Sequence, residues 1–266
     1  MLSGATSLET GDILDLFDHD ERREVRYPGM RREVAPPVVR QIDPSGGGSA
    51  IIHSQLNQEE TEGVIRREMD YFSQLGLDFE WKVFDYDQPE DLKSRLEKQG
   101  FEVEAAEAVL VLDLETRPGF LALPASSEMR RVTDSRTIHD LVSVQNAVWG
   151  GNHDWLARRL ESDLKNAPEA LSVYVAYEED VPVSTAWIRF STHGRFVSLW
   201  GGSTLPASRG KGFYTALVSV RLREAAQRGF RFATVDAQPT SQPILEKRGF
   251  KLLTRTHACH WRAPRA

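Results

Sequence analysis

The stretch "GGSTLPASRGKGFYTALVSV", Gly201 to Val220, decides the fold of this chain. Its centre is the glycine-rich run Arg209–Gly212, which lies between an apolar segment of strand length and a segment rich in helix formers. Glycines let a ligand approach the backbone, and the first amides of a helix have no partner within that helix. The stretch therefore predicts a strand–loop–helix that binds a phosphate or pyrophosphate, with charge added by Arg209 and Lys211.

Two familiar phosphate-binding patterns do not fit this loop. A P-loop requires Gly-Lys followed by Ser or Thr, but Lys211 is followed by Gly212. A Rossmann fingerprint requires a third glycine and a parallel β-α-β context, whereas Thr215 stands at the third position and the preceding strands read as a meander. A tight turn that merely uses two glycines remains an alternative, because short glycine motifs have low specificity.

The segments around the loop predict a mixed sheet. Turns at "EED" and "STHG" separate three strands of an antiparallel meander, "LSVYVAY", "VPVSTAWIRF" and "GRFVSLWGGST". The helix "FYTALVSVRLREAAQRG", the strand "FRFATVDA", the short helix "SQPILEKRG" and the strand "KLLTRTHACHW" complete the half. Upstream, "DSRTIHDLVSVQNAVW" reads as a helix that Asp134 or Ser135 could cap.

These features together resemble the GNAT superfamily, the Gcn5-related N-acetyltransferases. The central motif of that family is Arg/Gln-x-x-Gly-x-Gly/Ala, which Arg209 to Tyr214 match in part, and Thr204-Leu-Pro206 resembles the hydrophobic-x-Pro that leads into it. The later family motif, a short helix ending in Gly-Phe, is similar to "SQPILEKRGF". The resemblance covers roughly Met129 to Trp261. It implies an α/β fold with a mixed sheet, the GNAT acyl-CoA N-acyltransferase fold, with acetyl-CoA as co-substrate.

The resemblance also implies where acetyl-CoA binds. In the family, the strand before the loop splays from its neighbour and binds pantetheine and the thioester carbonyl, while the loop amides bind the pyrophosphate. Carried over by position, the cofactor-binding residues are Gly202, Ser203, Thr204, Arg209, Gly210, Lys211, Gly212, Phe213, Tyr214 and Ser241.

This chain departs from the family at two positions. Tyr214 replaces the final Gly/Ala of the loop motif, so its ring must point away from the phosphate. Many members carry a Tyr as general acid five residues before the Phe of Gly-Phe, where this chain has Leu245, so the acid is unassigned.

Direct attack of an amine on the thioester requires a base or a water chain. Asp236 and His153 are candidate catalytic residues, although Asp236 could equally be a turn or cap carboxylate and His153 could belong to an ordinary polar loop. Trp149, Trp155, Trp187 and Trp200 fall in regions that would flank an acceptor cleft, although packing in a core is the commoner use of Trp.

The N-terminal half resembles only the closing part of the same fold. A linker is predicted at Glu115 to Glu128, which holds two prolines and a glycine. Before it, helices and strands are predicted, but no Arg-x-x-Gly loop; "SGGGS" at Ser45 to Ser49 lies between two predicted strands and reads as a turn. We predict a partial, non-catalytic GNAT-like domain over residues 1–122 and a GNAT N-acetyltransferase domain over residues 127–266.

A repeated phrase supports this interpretation. "RLEKQGF" ends at Phe101 and "ILEKRGF" ends at Phe250, and an ungapped alignment of the two places Asp87 on Asp236. Each copy follows the order strand, Asp, Pro-containing turn, helix, Gly-Phe, strand. Chance remains the alternative for so short a match, but the shared order favours two related β-α-β endings.

Composition narrows the functional class. The 266 residues carry a net charge of −6, unlike a general nucleic-acid binder, and no apolar run is long enough to span a membrane. The single cysteine, Cys259, excludes a disulfide framework and a Cys-based zinc site within one chain, and no metal is expected. We expect a cytoplasmic monomer or homodimer that acts on a small-molecule or peptide amine. The alternative is an acyl-CoA-binding or regulatory protein without turnover.

Overall fold

The structure is a computed structural model, and it describes residues 8–44, 48–116, 119, 128–132, 134–192 and 194–264. Contacts between Cα atoms divide the chain into two compact units. The N-terminal unit contains Leu8–Val109, Ala237–Pro239 and the segment from Leu252 onward. The C-terminal unit contains Leu110–Asp236 and Thr240–Lys251. None of the helices in the described part of the chain is long and apolar enough to cross a membrane.

The N-terminal unit is built from short helices and a mixed sheet. Its elements are α1 (Thr10–Phe17), a π-helical turn (Asp18–Arg23), β1 (Arg31–Ala35), β2 (Val38–Ile42), β3 (Ser49–Ser54), α2 (Thr61–Leu75), β4 (Phe79–Phe84), α3 (Leu92–Lys98) and β5 (Glu102–Val103). The strand β6 (Glu107–Asp113) is divided between the units after Val109. The strand β12 (Lys251–Trp261), the last of the described chain, has all but its first residue in the N-terminal unit.

The strand order in this unit is β1-β2-β3-β4-β12, with β5 also paired to β12. Only β3 and β4 run parallel; the other pairs are antiparallel. An aromatic cluster fills the core: Phe79 stacks on Phe72 at 4.2 Å between ring centroids and lies 5.6 Å from Trp261. Trp81 and Cys259, which pair across β4 and β12, are fully buried in the same cluster.

The C-terminal unit contains the elements predicted around the glycine loop. They are β7 (Met129–Arg131), α4 (Ser135–Trp149), α5 (Asp154–Asn166), β8 (Leu171–Glu178), β9 (Val181–Phe190), β10 (Phe196–Thr204), α6 (Phe213–Gln227), β11 (Phe232–Ala237) and α7 (Gln242–Glu246). The order β7-β8-β9-β10 is an antiparallel meander, and β11 joins β10 in parallel. This mixed sheet with helices confirms the predicted α/β class, and Asp134 caps α4 by accepting a hydrogen bond from the Thr137 amide.

The domain boundaries drawn from the sequence stay a prediction. Contacts assign β12 to the N-terminal unit, although its residues fall inside the predicted domain at 127–266. Most of the predicted linker, residues 117–118 and 120–127, lies outside the described residues, and so do residues 45–47 of the "SGGGS" turn.

The repeated sequence forms the same type of C-terminal cap on two helices, α3 and α7. Gly100 and Gly249 both adopt left-handed backbone conformations, with φ of 90° and 99°. The Phe101 amide donates to the Leu96 carbonyl at 3.1 Å, and the Phe250 amide donates to the Leu245 carbonyl at 3.2 Å. This is the bond pattern of a Schellman cap, in which glycine avoids the Cβ clash and the next apolar residue packs back on the helix. The phrase thus has a structural role in each half, and the partial-copy interpretation stays a prediction.

Candidate functional site

The central feature of the C-terminal unit is the divergence of β10 from β11. Paired register between the two strands covers only Phe196–Ser198 and Phe232–Thr234. On its other edge, β10 pairs with β9 but shifts register between Trp200 and Ser203, which marks a β-bulge. Backbone groups released from a sheet need another partner, and a ligand can supply it. Gly202, Ser203 and Thr204, predicted from the sequence to bind acetyl-CoA, lie in this released part of β10.

Two aromatic rings explain why the bulge contains two glycines. Gly201 has φ of +60°, and a Cβ there would lie 1.7 Å from the Trp187 ring. A Cβ on Gly202 would lie 2.9 Å from the Tyr214 ring. Neither position can carry a side chain unless an aromatic ring moves. Tyr214 therefore packs against the bulge, and its hydroxyl bonds Ser241 at the start of α7, while burial raises the pKa of the phenol.

A hydrogen-bond network from α4 holds the bulge in place. The Gln145 amide nitrogen donates to Thr185 Oγ1 at 2.8 Å and to the Gly201 carbonyl at 3.0 Å. Ser203 Oγ accepts from Trp149 Nε1 at 2.8 Å and donates to Gln145 Oε1 at 3.2 Å. The Ser203 side chain is thus occupied within the protein, and the Ser203 carbonyl accepts a hydrogen bond from Ser184 Oγ of β9 at 2.8 Å.

Arg221 on α6 supports the same bulge from within the core. Its guanidinium donates to the carbonyls of Leu217 at 2.9 Å, Trp187 at 2.9 Å and Trp200 at 3.2 Å. The side chain is buried, and burial lowers the pKa of Arg221 to about 10. The guanidinium satisfies carbonyls that the irregular pairing of β9 and β10 leaves exposed.

Sequence reasoning missed Gln145 and Arg221. Each is a polar residue at a helix position where the spacing predicts an apolar one: Gln145 follows Leu141 and Val142, and Arg221 follows Leu217 and Val218. A polar side chain on the apolar face of a helix indicates a buried hydrogen bond, and this pattern could have identified both residues from the sequence.

The glycine loop leads into the start of α6 as predicted. A short 3₁₀ turn, Pro206–Ser208, comes before Arg209, and Gly210 and Gly212 have φ of 79° and 92°. No side chain caps the helix at Gly212, and a Cβ on either glycine would meet nothing within 4 Å. The loop therefore combines uncapped first-turn amides with open space, which are the requirements of an anion site at a helix N-terminus.

The loop side chains have protein partners in this structure. Lys211 Nζ donates to Glu178 Oε1 at 2.6 Å, and Ser208 Oγ donates to Glu178 Oε2 at 3.0 Å. These hydrogen bonds, chiefly the one from Lys211, lower the pKa of the Glu178 carboxyl. Arg209 Nε donates to the Thr204 carbonyl at 3.3 Å. Glu178 is thus a carboxylate that would compete with a bound anion for Lys211.

The two catalytic candidates lie in different places. Asp236 is two residues beyond Thr234, the last residue of β11 that pairs with β10, so it stands at the divergence. His153 lies between α4 and α5, where its Nδ1 is 2.8 Å from Asn146 Oδ1 and its backbone amide donates to the same oxygen at 2.9 Å. With Nδ1 as the donor, Nε2 carries the lone pair. Both catalytic roles stay predictions.

Aromatic side chains are exposed on this unit. Trp149, Trp155 and Trp200 are 56%, 46% and 39% exposed, whereas Trp187 is buried beside Gly201. Trp200 pairs directly with Trp187 across β9 and β10, so the two side chains share one face of the sheet. Exposed tryptophans on the α4 side of the bulge are available to a ligand.

Residues 138–250 match the model of the acetyltransferase (GNAT) family. A GCN5-related N-acetyltransferase from Kribbella flavida is 15% identical, with a TM-score of 0.65 over 98% of each chain. A functionally unknown conserved protein from Staphylococcus epidermidis is 12% identical, with a TM-score of 0.67 over 95% of this chain and 100% of that one. A tandem GNAT protein from the clavulanic acid biosynthesis pathway is 10% identical, with a TM-score of 0.61 over 97% of this chain and 95% of that one.

At these identities the structural likenesses show the fold alone. The search of curated proteins gave no match.

Proposed function

We propose that the C-terminal unit transfers an acetyl group from acetyl-CoA to a primary amine, because residues 138–250 match the model of the acetyltransferase (GNAT) family. The observation that carries this proposal is the combination of a split between β10 and β11 with an uncapped, glycine-lined start of α6. The first feature offers backbone groups to an extended chain, and the second offers amides to a pyrophosphate. Acetyl-CoA has both parts.

In the proposed complex, the backbone from Gly202 to Thr204 binds pantetheine and polarises the thioester carbonyl. The amides from Arg209 to Tyr214 bind the pyrophosphate, and Lys211 exchanges Glu178 for a phosphate oxygen. Ser241 contributes indirectly, because its bond to Tyr214 keeps that ring on Gly202 and away from the loop.

The chemistry requires three events at the acceptor. Asp236 or His153 takes a proton from the ammonium, directly or through water, so that the amine nitrogen can attack the thioester carbon. Backbone amides stabilise the charge that develops on the carbonyl oxygen. The C–S bond then breaks and yields an amide and coenzyme A. Leu245 is fully buried at the position where many family members have a tyrosine acid, so the thiolate leaves without that residue's proton.

The exposed tryptophans favour an acceptor with a flat or apolar body. An aromatic face also attracts an ammonium group. The proposal therefore extends to amines of this kind, whether small molecules or peptide termini.

The test is release of coenzyme A from acetyl-CoA in the presence of a panel of primary amines, followed with a thiol reagent. The panel includes tryptamine and phenethylamine beside ethanolamine, which lacks the apolar body. We expect amine-dependent release that falls at least about tenfold in a Gly212→Asp variant.

A second candidate function is acyl-CoA binding without turnover, which the buried Leu245 favours. Binding of acetyl-CoA with no amine-dependent thiol release across the panel would support it against the transferase.

A further inference from the structure

The N-terminal unit contains a cavity of about 610 Å³ that no part of the proposed reaction uses. Its walls come from α1 and the π-helical turn, from the end of β3, and from the segment after β4. The cavity is open to solvent, and polar and charged residues predominate among those that line it. It is a candidate binding site with its own chemistry.

The floor of the cavity is an ion-pair network that is complete within the protein. Arg22 donates through two nitrogens to the two oxygens of Asp87, both at 2.9 Å, and to Asp18 at 2.8 Å. The Phe84 amide donates to Asp87 at 2.9 Å, and the Tyr86 hydroxyl donates to Asp18 at 3.1 Å. Because the carboxylates already accept several hydrogen bonds each, the floor does not call for a cationic ligand.

Two groups in the wall keep unused hydrogen-bonding capacity. Arg23 uses Nε for Asp18 at 2.7 Å, while no residue of the described chain bonds its Nη1 or Nη2. His53 is 8% exposed, no residue of the described ranges hydrogen-bonds its ring, and Asp18 Oδ2 lies 3.9 Å from Nε2, beyond hydrogen-bond reach. An imidazole that makes no hydrogen bond to the protein and lines an open cavity can bond a ligand there.

A second cavity of about 420 Å³ meets the first at these residues. Arg23, His53 and Gln55 line both cavities. The second cavity adds Arg32 and the apolar residues Val34, Pro36 and Pro37. The guanidinium of Arg23, the imidazole of His53 and the side-chain amide of Gln55 thus lie beside the apolar residues of the second cavity.

The charges around the shared wall are nearly balanced, and the Nη atoms of Arg23 are the cationic donors there that bond no residue of the described chain. Two arginines, Arg22 and Arg23, oppose protonation of His53, whereas Asp18 favours it; with burial as the largest cause, the pKa of His53 falls to about 4. The imidazole is therefore neutral at neutral pH, so it can donate one N–H to a ligand without adding a charge of its own. Asp15 in the first cavity and Glu24 in the second oppose a multiply charged anion such as a nucleotide.

We propose that the N-terminal unit binds a small monocarboxylate, with the carboxylate between Arg23, His53 and Gln55 and an apolar body against Pro36 and Pro37. Arg23 supplies a bidentate fork, which is the preferred partner of a carboxylate. His53 donates one N–H, and the side-chain amide of Gln55 donates another, since the Gln55 backbone amide already bonds the Pro37 carbonyl. The site is separate from the acetyl-transfer proposal and does not depend on it.

The test uses the full chain and two matched pairs of probes, isovalerate with isovaleramide and phenylacetate with phenylacetamide. Each amide keeps the shape of its acid and removes the charge. Calorimetric titration and thermal melting at constant ionic strength should show binding of at least one acid in the millimolar range or tighter, and at least about tenfold weaker binding of its amide.

Two variants and one control assign the site. Arg23→Gln should weaken binding of the acid at least about tenfold, and Gln55→Glu, an exposed position outside the buried network, should weaken it as much by repulsion. Arg26→Gln removes the same charge from an exposed residue that lines neither cavity, and should bind like the wild type.

The proposal is overturned if neither acid binds, if the amides bind as well as the acids, or if Arg26→Gln loses binding as Arg23→Gln does. Cooperative thermal melting of each variant near the wild-type temperature shows that the proteins compared are folded.

Discussion

Gly201 is the residue on which the geometry of the bulge depends most directly. A methyl group there would overlap the Trp187 ring at 1.7 Å, and φ of +60° adds backbone strain for any other L residue. Gly229 at the far end of α6 also has positive φ, 82°, but a Cβ there would meet nothing within 4 Å. A comparison of alanine substitutions at Gly201 and Gly229 therefore separates the cost of steric overlap from the cost of backbone strain.

We therefore predict that Gly201→Ala destabilises the protein by about 2–4 kcal/mol, against about 1 kcal/mol for Gly229→Ala. Gly201→Ala should also weaken acetyl-CoA binding, because Trp187 or β10 must shift. Denaturant unfolding and calorimetric titration of both variants check this. Equal costs for the two substitutions would contradict the packing of Trp187 on Gly201.

His53 gives a prediction on pH. Burial and Arg22 lower its pKa from 6.5 to about 4, with Asp18 and Arg23 as the other charged neighbours. As pH falls from about 6.5 to about 4, His53 binds a proton in the unfolded chain but stays neutral in the folded protein. The free energy of unfolding therefore decreases over this range.

A His53→Gln variant lacks this titration. Protonation of Asp18 affects the stability of both proteins, so the comparison isolates the contribution of His53. The free energy of unfolding of the wild type relative to the variant should therefore fall between about pH 7 and about pH 5. Guanidinium unfolding at both pH values measures it. A difference that stays constant or rises on acidification would show that His53 is readily protonated in the folded state.

At the scale of elements, Glu178 at the end of β8 bonds the loop that leads into α6. Glu178 holds Lys211 and Ser208 of the glycine loop, so a phosphate must compete with a carboxylate. Exposed ion pairs are weak, and the effect of removing this one should be correspondingly small.

We predict that Glu178→Gln tightens acetyl-CoA binding by about 1.5- to 5-fold at low salt, with less effect at high salt. Glu179→Gln changes the same charge one residue away and serves as the control. Unchanged or weaker binding in Glu178→Gln would mean that Glu178 orders the loop for its ligand instead of competing with it.

Elements with strong local patterns were predictable from the sequence. The meander, the long helix after the loop and the two Gly-Phe helix ends follow from alternation, helix-forming residues and glycine stops. The charged edge strand β1, "RREVA", was not predicted, because its half-exposed residues lack an apolar pattern. The bulge at Gly201 was also missed, since it depends on tertiary contacts with Trp187, Gln145 and Arg221 that no local pattern contains.

At the scale of the whole molecule, the two compact units do not follow the order of the chain, because a C-terminal strand belongs to the N-terminal unit. The strand β12 comes last in the described chain, yet it pairs with β4 and buries Cys259 and Trp261 in the N-terminal core. Burial raises the pKa of the Cys259 thiol to about 12, as expected of an inert core residue.

A fragment of residues 128–266 would carry β12 without β4 and expose its apolar face. We predict that this fragment aggregates or yields little soluble protein, whereas residues 8–266 remain soluble. Size-exclusion chromatography of both fragments checks the prediction. A soluble, cooperatively folding fragment 128–266 would show that β12 does not need the N-terminal unit, and would favour the domain boundary drawn from the sequence.

The central claim is that acetyl-CoA binds at the split of β10 and β11 and the start of α6. Calorimetric titration of acetyl-CoA into the wild type, Gly212→Asp and Gly229→Asp tests it most directly. Both glycines have positive φ and open surroundings at opposite ends of α6, so the two substitutions carry similar strain. Our account predicts binding to the wild type and Gly229→Asp, and at least about tenfold weaker binding to Gly212→Asp. No binding to the wild type, or equal binding to both variants, would contradict it.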